Sequence, residues 1–209
     1  MRTPEKKFVF DFGRVVFRWE PEALLRELLP QRAFDVDSAA HWTALIFQSY
    51  GGDWGAYDRG TVTPEVLVQR IATSTGLQPD EVQRVVHGAP RALTPLPDTV
   101  ALLQRLHAAG RPLYYLSNMP APMAAYLQAT HGFLGLFEDG VFSGRVGHNK
   151  PEPAIYRIAA ERFGHPVEVL VFLDDHAPNI EAARALGWHG LVFLNAAQAE
   201  AEMRAAGWL

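Results

Sequence analysis

Asp11, Ser117 with Asn118, Lys150, and Asp174 with Asp175 are the side chains whose types and places could do chemistry together. Three of these groups follow at once on short apolar runs: residues 8–10 before Asp11, 113–116 before Ser117, and 169–173 before Asp174. Lys150 stands in a loop ahead of Pro151, Glu152 and Pro153. A carboxylate that attacks a phosphate dianion meets like-charge repulsion, so catalysis rests on positioning and on positive charge. A lysine supplies part of that charge. A divalent cation supplies the rest, and an all-oxygen donor set suits magnesium. Attack by Asp11 gives an aspartyl phosphate that water then cleaves. Asn179 falls in the first turn after the aspartate pair, where N–H groups at a helix end can orient the loop. Taken singly, each residue has a plainer reading: a strand-end aspartate capping a turn, a Ser-Asn turn, a solvated lysine, and an aspartate pair capping a helix near Pro178. Four such groups in order outweigh those readings.

The elements that must position them can be read from the same runs. Continuous β-branched and aromatic runs bounded by breakers read as strands buried on both faces, and residues 191–194 before Asn195 make a fourth. Helices are expected over 97–109, 153–163 and 178–186, each stopped by a glycine at 110, 164 and 187. Strands alternating with helices predict an α/β fold, a doubly wound parallel sheet of Rossmann-like form. Ligands of such sheets bind outside the carboxyl ends of the strands, where Asp11, Ser117 and Asp174 all fall. Residues 16–94 break the alternation. They suggest helices over 21–29, 38–48, 64–73 and 79–88, with Thr63 as a cap. The reading is an α/β core of 1–17 and 95–209, with a helical cap of 18–94 inserted after the first strand and a terminal helix over 196–209.

At these residues the chain resembles the haloacid dehalogenase-like superfamily. FDFGRVV at 10–16, YYLSN at 114–118, the lysine of NKPEPAIY at 149–156, and VFLDDHAPNIEAA at 171–183 are similar, in order, to its four motifs. The likeness is greatest to the phosphatase branch, which includes sugar-phosphate phosphatases and the phosphatase domain of soluble epoxide hydrolases. It covers about 6–18 and 95–195, and the insert sits where that branch carries its cap. The resemblance implies Asp11 as nucleophile, Ser117 and Asn118 as phosphate ligands, and Lys150 as charge neutraliser. It implies Mg2+ at Asp11, the Gly13 carbonyl and Asp175, with Asp174, and a cis Lys150–Pro151 bond. One departure stands out. Phosphatases of the superfamily usually carry a second aspartate, a general acid, where this chain has Gly13. Glycine keeps the carbonyl but has no proton to give, and a missing general acid costs roughly 10²–10⁴-fold in rate.

Several residues carry two readings. His176 titrates in the right range to replace the acid, or is a loop histidine turned away, and His148 is alike. Arg14 reaches a substrate anion or sits in a surface ion pair. Trp19, Trp42, Trp54, Tyr57 and Arg59 line a substrate wall or form the cap's own core, with at least one of Trp19, Trp54 and Tyr57 expected at the site.

Composition sets the outer bounds. A chain of 209 residues, 48% hydrophobic, buries one large core. Its net charge of −4 gives no general attraction for nucleic acid or an anionic membrane. The sequence has no cysteine, which removes disulfide, thiolate and cysteine–metal chemistry and is compatible with the cytoplasm. The start is unlike a signal peptide, and no apolar run is of bilayer length. The expectation is a cytoplasmic, magnesium-dependent enzyme that hydrolyses a small phosphorylated metabolite, a sugar phosphate among the candidates. Nucleic-acid and membrane partners are not expected, and the oligomeric state is not legible. Two alternatives stand. A 2-haloacid dehalogenase uses the same nucleophile on carbon without metal, against which the Asp174–Asp175 pair argues. A catalytically weak binding or regulatory relative has Gly13 as its hint.

Overall fold

The computed structural model describes residues 5–209. The chain runs through β1 (Lys7–Phe10) and β2 (Phe17–Arg18) into the helices α1 (Pro21–Leu28), α2 (Val36–Phe47), α3 (Gly52–Asp58), α4 (Pro64–Thr75) and α5 (Pro79–Ala92). It returns through β3 (Thr94–Pro95) to α6 (Pro97–Ala108), β4 (Leu113–Ser117), α7 (Ala121–Thr130), β5 (Asp139–Phe142) and α8 (Ser143–Val146). It ends with α9 (Pro153–Phe163), β6 (Leu170–Asp174), α10 (Ala177–Ala185), β7 (His189–Val192) and α11 (Ala196–Ala205).

Five strands form a parallel sheet in the order β5-β4-β1-β6-β7. The α/β architecture read from the sequence is the one observed. Side chains alternate across a strand, so Phe8 and Phe10 enter one apolar layer while Val9 enters the other. The Val9 layer packs α9 and α10 on the sheet through Ile155, Tyr156, Ile180 and Trp188. The Phe8 layer takes α6, α7 and α11 and continues without a break into α1 to α5. Each fully buried phenylalanine or leucine there contributes about 1.5–3 kcal/mol. Register fixes the level of the chemistry. Phe10 pairs with Leu173, so the next residues, Asp11 and Asp174, emerge side by side, and the Asp11 N–H donates to the Leu173 carbonyl at 2.9 Å.

Several elements differ from expectation. β5 is a true strand, although Gly140 interrupts its apolar run, because a Cβ there would run into the Tyr115 ring. α3, with glycines at 52 and 55, and the almost wholly apolar α7 lack a clear 3.6-residue period. The last strand closes at Val192, which leaves Leu194 outside it. The terminal helix stops at Ala205, ahead of Gly207 at φ +69°. Thr63 does cap α4, accepting from the Val66 N–H at 3.3 Å. At the root of the insert, β2 and β3 pair antiparallel. Among the described residues no helix is long and apolar enough to cross a membrane.

Candidate active site

The carboxyl edge of the sheet encloses a charge cluster. Lys150 is buried and points its ammonium between two carboxylates, 2.8 Å from Asp11 Oδ1 and 2.6 Å from Asp174 Oδ2, above the Phe172 ring. Its backbone is clamped by Asn118. The Lys150 N–H donates to Asn118 Oδ1 at 2.7 Å, and Asn118 Nδ2 donates to the Lys150 carbonyl at 3.0 Å. The bond from Lys150 to Pro151 is cis. Asp174 has no solvent exposure, and its oxygens also accept from the His176 N–H (2.8 Å) and Asn179 Nδ2 (2.9 and 3.1 Å). Asn179 is held in turn by Tyr156, whose hydroxyl donates to its carbonyl at 2.9 Å.

Burial and charge pull the ionisable groups in opposite directions. Burial pushes the Asp11 carboxyl up to about 7; Lys150 works against this, while Asp174 and Asp175 add to it. Burial also raises the Asp175 carboxyl, again helped by Asp174 and opposed by Lys150 and Arg14. For Lys150 burial acts to lower the ammonium, but Asp11 and Asp174 outweigh it and hold it above its usual range.

One oxygen from each of Asp11, Asp174 and Asp175 can lie within 4.8 Å of the others. Three carboxylates thus face one ammonium. Asp11 Oδ1 is enclosed and, although close to Lys150, receives no hydrogen bond of good geometry. An oxygen-only donor set with surplus negative charge and an unsatisfied buried oxygen fits Mg2+. Asp174 is already saturated by its protein partners, so Asp11 and Asp175 are the freer donors.

The remaining expected residues divide. Ser117 is buried at the end of β4, beside the cluster's edge of the sheet. Arg14 is exposed, with Nη1 4.0 Å from Asp175 Oδ2 and Nε 3.5 Å from the Trp19 carbonyl. Gly13 has a φ outside the left-handed range and open space where a Cβ would stand. The His176 residue is exposed, and His148 Nδ1 lies 3.2 Å from Glu152. Arg59 also pairs with Glu152. Trp54 and Tyr57 are core residues, whereas Trp19 is half-buried and donates its indole N–H to the Tyr50 hydroxyl at 2.6 Å.

Two residues escaped the sequence reading. The Ser143 hydroxyl accepts from the Met119 N–H (2.8 Å) and donates to the Asp58 carbonyl (2.5 Å), while Asn149 Nδ2 donates to the Gly55 carbonyl (2.8 Å). Together they fasten α3 to the loops that carry Asn118 and Lys150. Asn149 was visible beside Lys150, but Ser143 follows a strand whose run was too broken to read.

The haloacid dehalogenase-like hydrolase profile matches residues 17–187, a span that begins beyond Asp11 and holds the rest of the cluster. The chain belongs to that family. It is 27% identical over 192 residues to a sesquiterpene phosphatase of Aspergillus oryzae, covering 91% of both chains. It is 28% identical over 135 residues to an (S)-2-haloacid dehalogenase of Pseudomonas putida, covering 64% of this chain and 60% of that one. A haloacid dehalogenase family enzyme of Bacteroides thetaiotaomicron, solved with magnesium and inorganic phosphate, superposes with a TM-score of 0.70 at 19% identity, covering 90% and 93% of the two chains. That likeness shows a shared fold.

Proposed function

We propose that this hydrolase is a phosphatase, cleaving phosphate monoesters with Mg2+ through an aspartyl phosphate on Asp11. The observation that carries this reading is the enclosed Lys150 ammonium between Asp11 and Asp174, with an Asp175 oxygen within 4.8 Å of theirs. Such surplus carboxylate has a use only where a cation joins it and an anion follows. Asp11, Asp175 and the Gly13 carbonyl, with Asp174 beside them, would hold Mg2+, which would supply positive charge against a phosphate dianion.

In the first step an Asp11 oxygen forms a bond to phosphorus and the bond to the leaving oxygen breaks, its electron pair staying on that oxygen. With Gly13 in place of an acid, the proton that oxygen takes up comes from water. In the second step a water oxygen bonds to phosphorus, the Asp11–phosphorus bond breaks, and a proton goes to solvent. Lys150 neutralises charge in both steps, Ser117 binds a phosphoryl oxygen, and Asn118 and Asn179 position Lys150 and Asp174. Residues 18–94 act as the cap, with α3 docked on the Lys150 loop. The substrate is a small phosphorylated compound, and the relatives' names leave both polar metabolites and terpene alcohols within that class.

Phosphate release from phenyl phosphate tests the reading. It is expected with Mg2+, and expected to vanish with chelator and in Asp11→Asn, since an amide cannot replace the nucleophile. Chloride release from 2-chloropropionate that survives chelator, with no phosphate release, would establish the dehalogenase instead.

A further inference from the structure

Arg14 sits in a backbone conformation that suits glycine better. Its φ is +57°, in the left-handed region that a residue with a Cβ enters at a cost and glycine enters freely. The turn enforces this conformation. The Arg14 N–H donates to the Phe17 carbonyl at 2.7 Å, while the N–H groups of Val16 and Phe17 both close on the Phe12 carbonyl. No contact of the side chain offsets the cost. Its Nη1 stops 4.0 Å from Asp175 Oδ2, and its Nε holds the Trp19 carbonyl at 3.5 Å. Exposed pairs at such distances stabilise little. Residues kept in strained backbone of this kind gather at functional sites.

The place of Arg14 points to the function. Lys150 and Asp174 are enclosed, whereas the side chain of Asp175 is 29% exposed and that of Arg14 56%. A phosphoryl group at Asp11 therefore turns toward Lys150 on the inner side, and the alcohol part, in line beyond phosphorus, faces the open end. Arg14 is the cation at that end. Arg18 is turned to Glu20 at 3.6 Å, and Arg59 to Glu152. A second anionic group of the substrate is a poor partner for Arg14, because Glu20, Glu22 and Asp98 border the same groove. An oxygen that becomes negative only as its bond to phosphorus breaks is a better one. Gly13 offers that oxygen no acid, and Arg14 is the next residue.

We infer that Arg14 is a catalytic residue that stabilises the leaving oxygen, an electrostatic substitute for the general acid missing at Gly13. The inference rests on the phosphatase reading. As the bond from phosphorus to the leaving oxygen breaks, its electron pair stays on that oxygen, and the guanidinium donates hydrogen bonds to the alkoxide that forms. Arginine keeps its own protons, so the proton that completes the alcohol comes from water. Donors aimed where charge develops strengthen in the transition state, which is the condition for raising the rate.

The test measures kcat/KM with Mg2+ for ethyl phosphate and 4-nitrophenyl phosphate in wild type, Arg14→Met and Arg18→Met. Ethoxide needs the stabilisation, whereas nitrophenolate spreads its own charge. Arg14→Met should slow ethyl phosphate about 100-fold and 4-nitrophenyl phosphate by less than about threefold, and Arg18→Met should match wild type on both. Arg14→Asn, whose side chain tolerates left-handed backbone, should show the same split, so the result does not hang on the folding of one variant. Vanadate gives a readout without turnover, since on bonding to Asp11 it sets an oxygen where the leaving oxygen stands. Its affinity by calorimetry should fall about 100-fold in Arg14→Met, with that of inorganic phosphate nearly unchanged. An equal loss on both esters overturns the inference, because Arg14 then only grips the phosphoryl group or steadies Asp175 and Trp19. Unchanged rates overturn it too, as does an equal effect on vanadate and phosphate. Release from both esters without the split defeats the inference alone. Release from no ester by the wild type defeats the phosphatase reading and the inference with it.

Discussion

Asp174 and Asp58 are both buried aspartates, and the protein treats them in opposite ways. Asp174, at the sheet edge, is enclosed by an ammonium, a backbone N–H and an amide. Asp58, at the end of α3, has no such company: burial alone raises its carboxyl well above the usual range. The sheet edge keeps buried charge by answering it, whereas the insert buries a carboxyl and burial raises it with no charge partner to oppose the shift. A site that works on anions needs the first arrangement. The second is a structural cost, tolerable away from the reacting atoms.

Removing the answer at the sheet edge should have the largest effect. Lys150→Met leaves Asp11 and Asp174 facing each other, and breaking a buried pair typically costs about 3–5 kcal/mol. Urea unfolding should show that loss, with phosphate release down by at least about 100-fold. A variant as stable as wild type would mean that the edge is not held by its charge pairing.

Adding a carboxylate to the same edge sharpens the contrast. Gly13 has ordinary backbone geometry and room for a Cβ, so Gly13→Asp should fold. If a missing general acid limits turnover, the variant should hydrolyse alkyl phosphates about 10-fold faster or more, and aryl phosphates at nearly the wild-type rate. An equal change for both leaving groups would show that another donor already protonates the leaving oxygen.

Metal and pH give a third test. Asp11 titrates at about 7 in the fold against an ordinary 3.8, so between those values the metal-free native protein holds a proton that the unfolded chain has lost. That part of its stability declines as pH rises through the window. Magnesium needs the ionised carboxylate. Its increase in melting temperature should therefore be small at pH 5 and larger at pH 8, and a pH-independent increase would separate the metal from Asp11.

The smallest effect belongs to the insert. Asp58 also has a raised carboxyl, so its burden on stability begins as pH climbs past 3.8. Asp58→Asn should melt higher than wild type at pH 7 and lose that advantage near pH 4. The reverse order would mean that Asp58 has a partner in the fold and belongs with Asp174.

The sequence disclosed one half of this contrast better than the other. Asp11 and Asp174 end uninterrupted apolar runs, and pairing of neighbouring parallel strands then places them side by side without further information. The contacts of α3 were hidden for a physical reason. Gly52 and Gly55 break its period, Gly140 breaks that of β5, and the Ser143–Asp58 contact joins positions distant in the chain. Asn118 shows a subtler limit. The family resemblance implied a phosphate ligand there, whereas its amide oxygen and nitrogen are both turned to the Lys150 backbone. The Leu191 to Leu194 run misled by composition alone, since nothing in residue type shows that Leu194 has left the sheet.

Phe8 and Phe10 of the sheet share one unbroken apolar body with Leu67, Ile71 and Val85 of the insert. The helices of the insert have no separate interior to fall back on, so their packing and the catalytic geometry are expected to be lost together when the chain is unfolded by heat or urea.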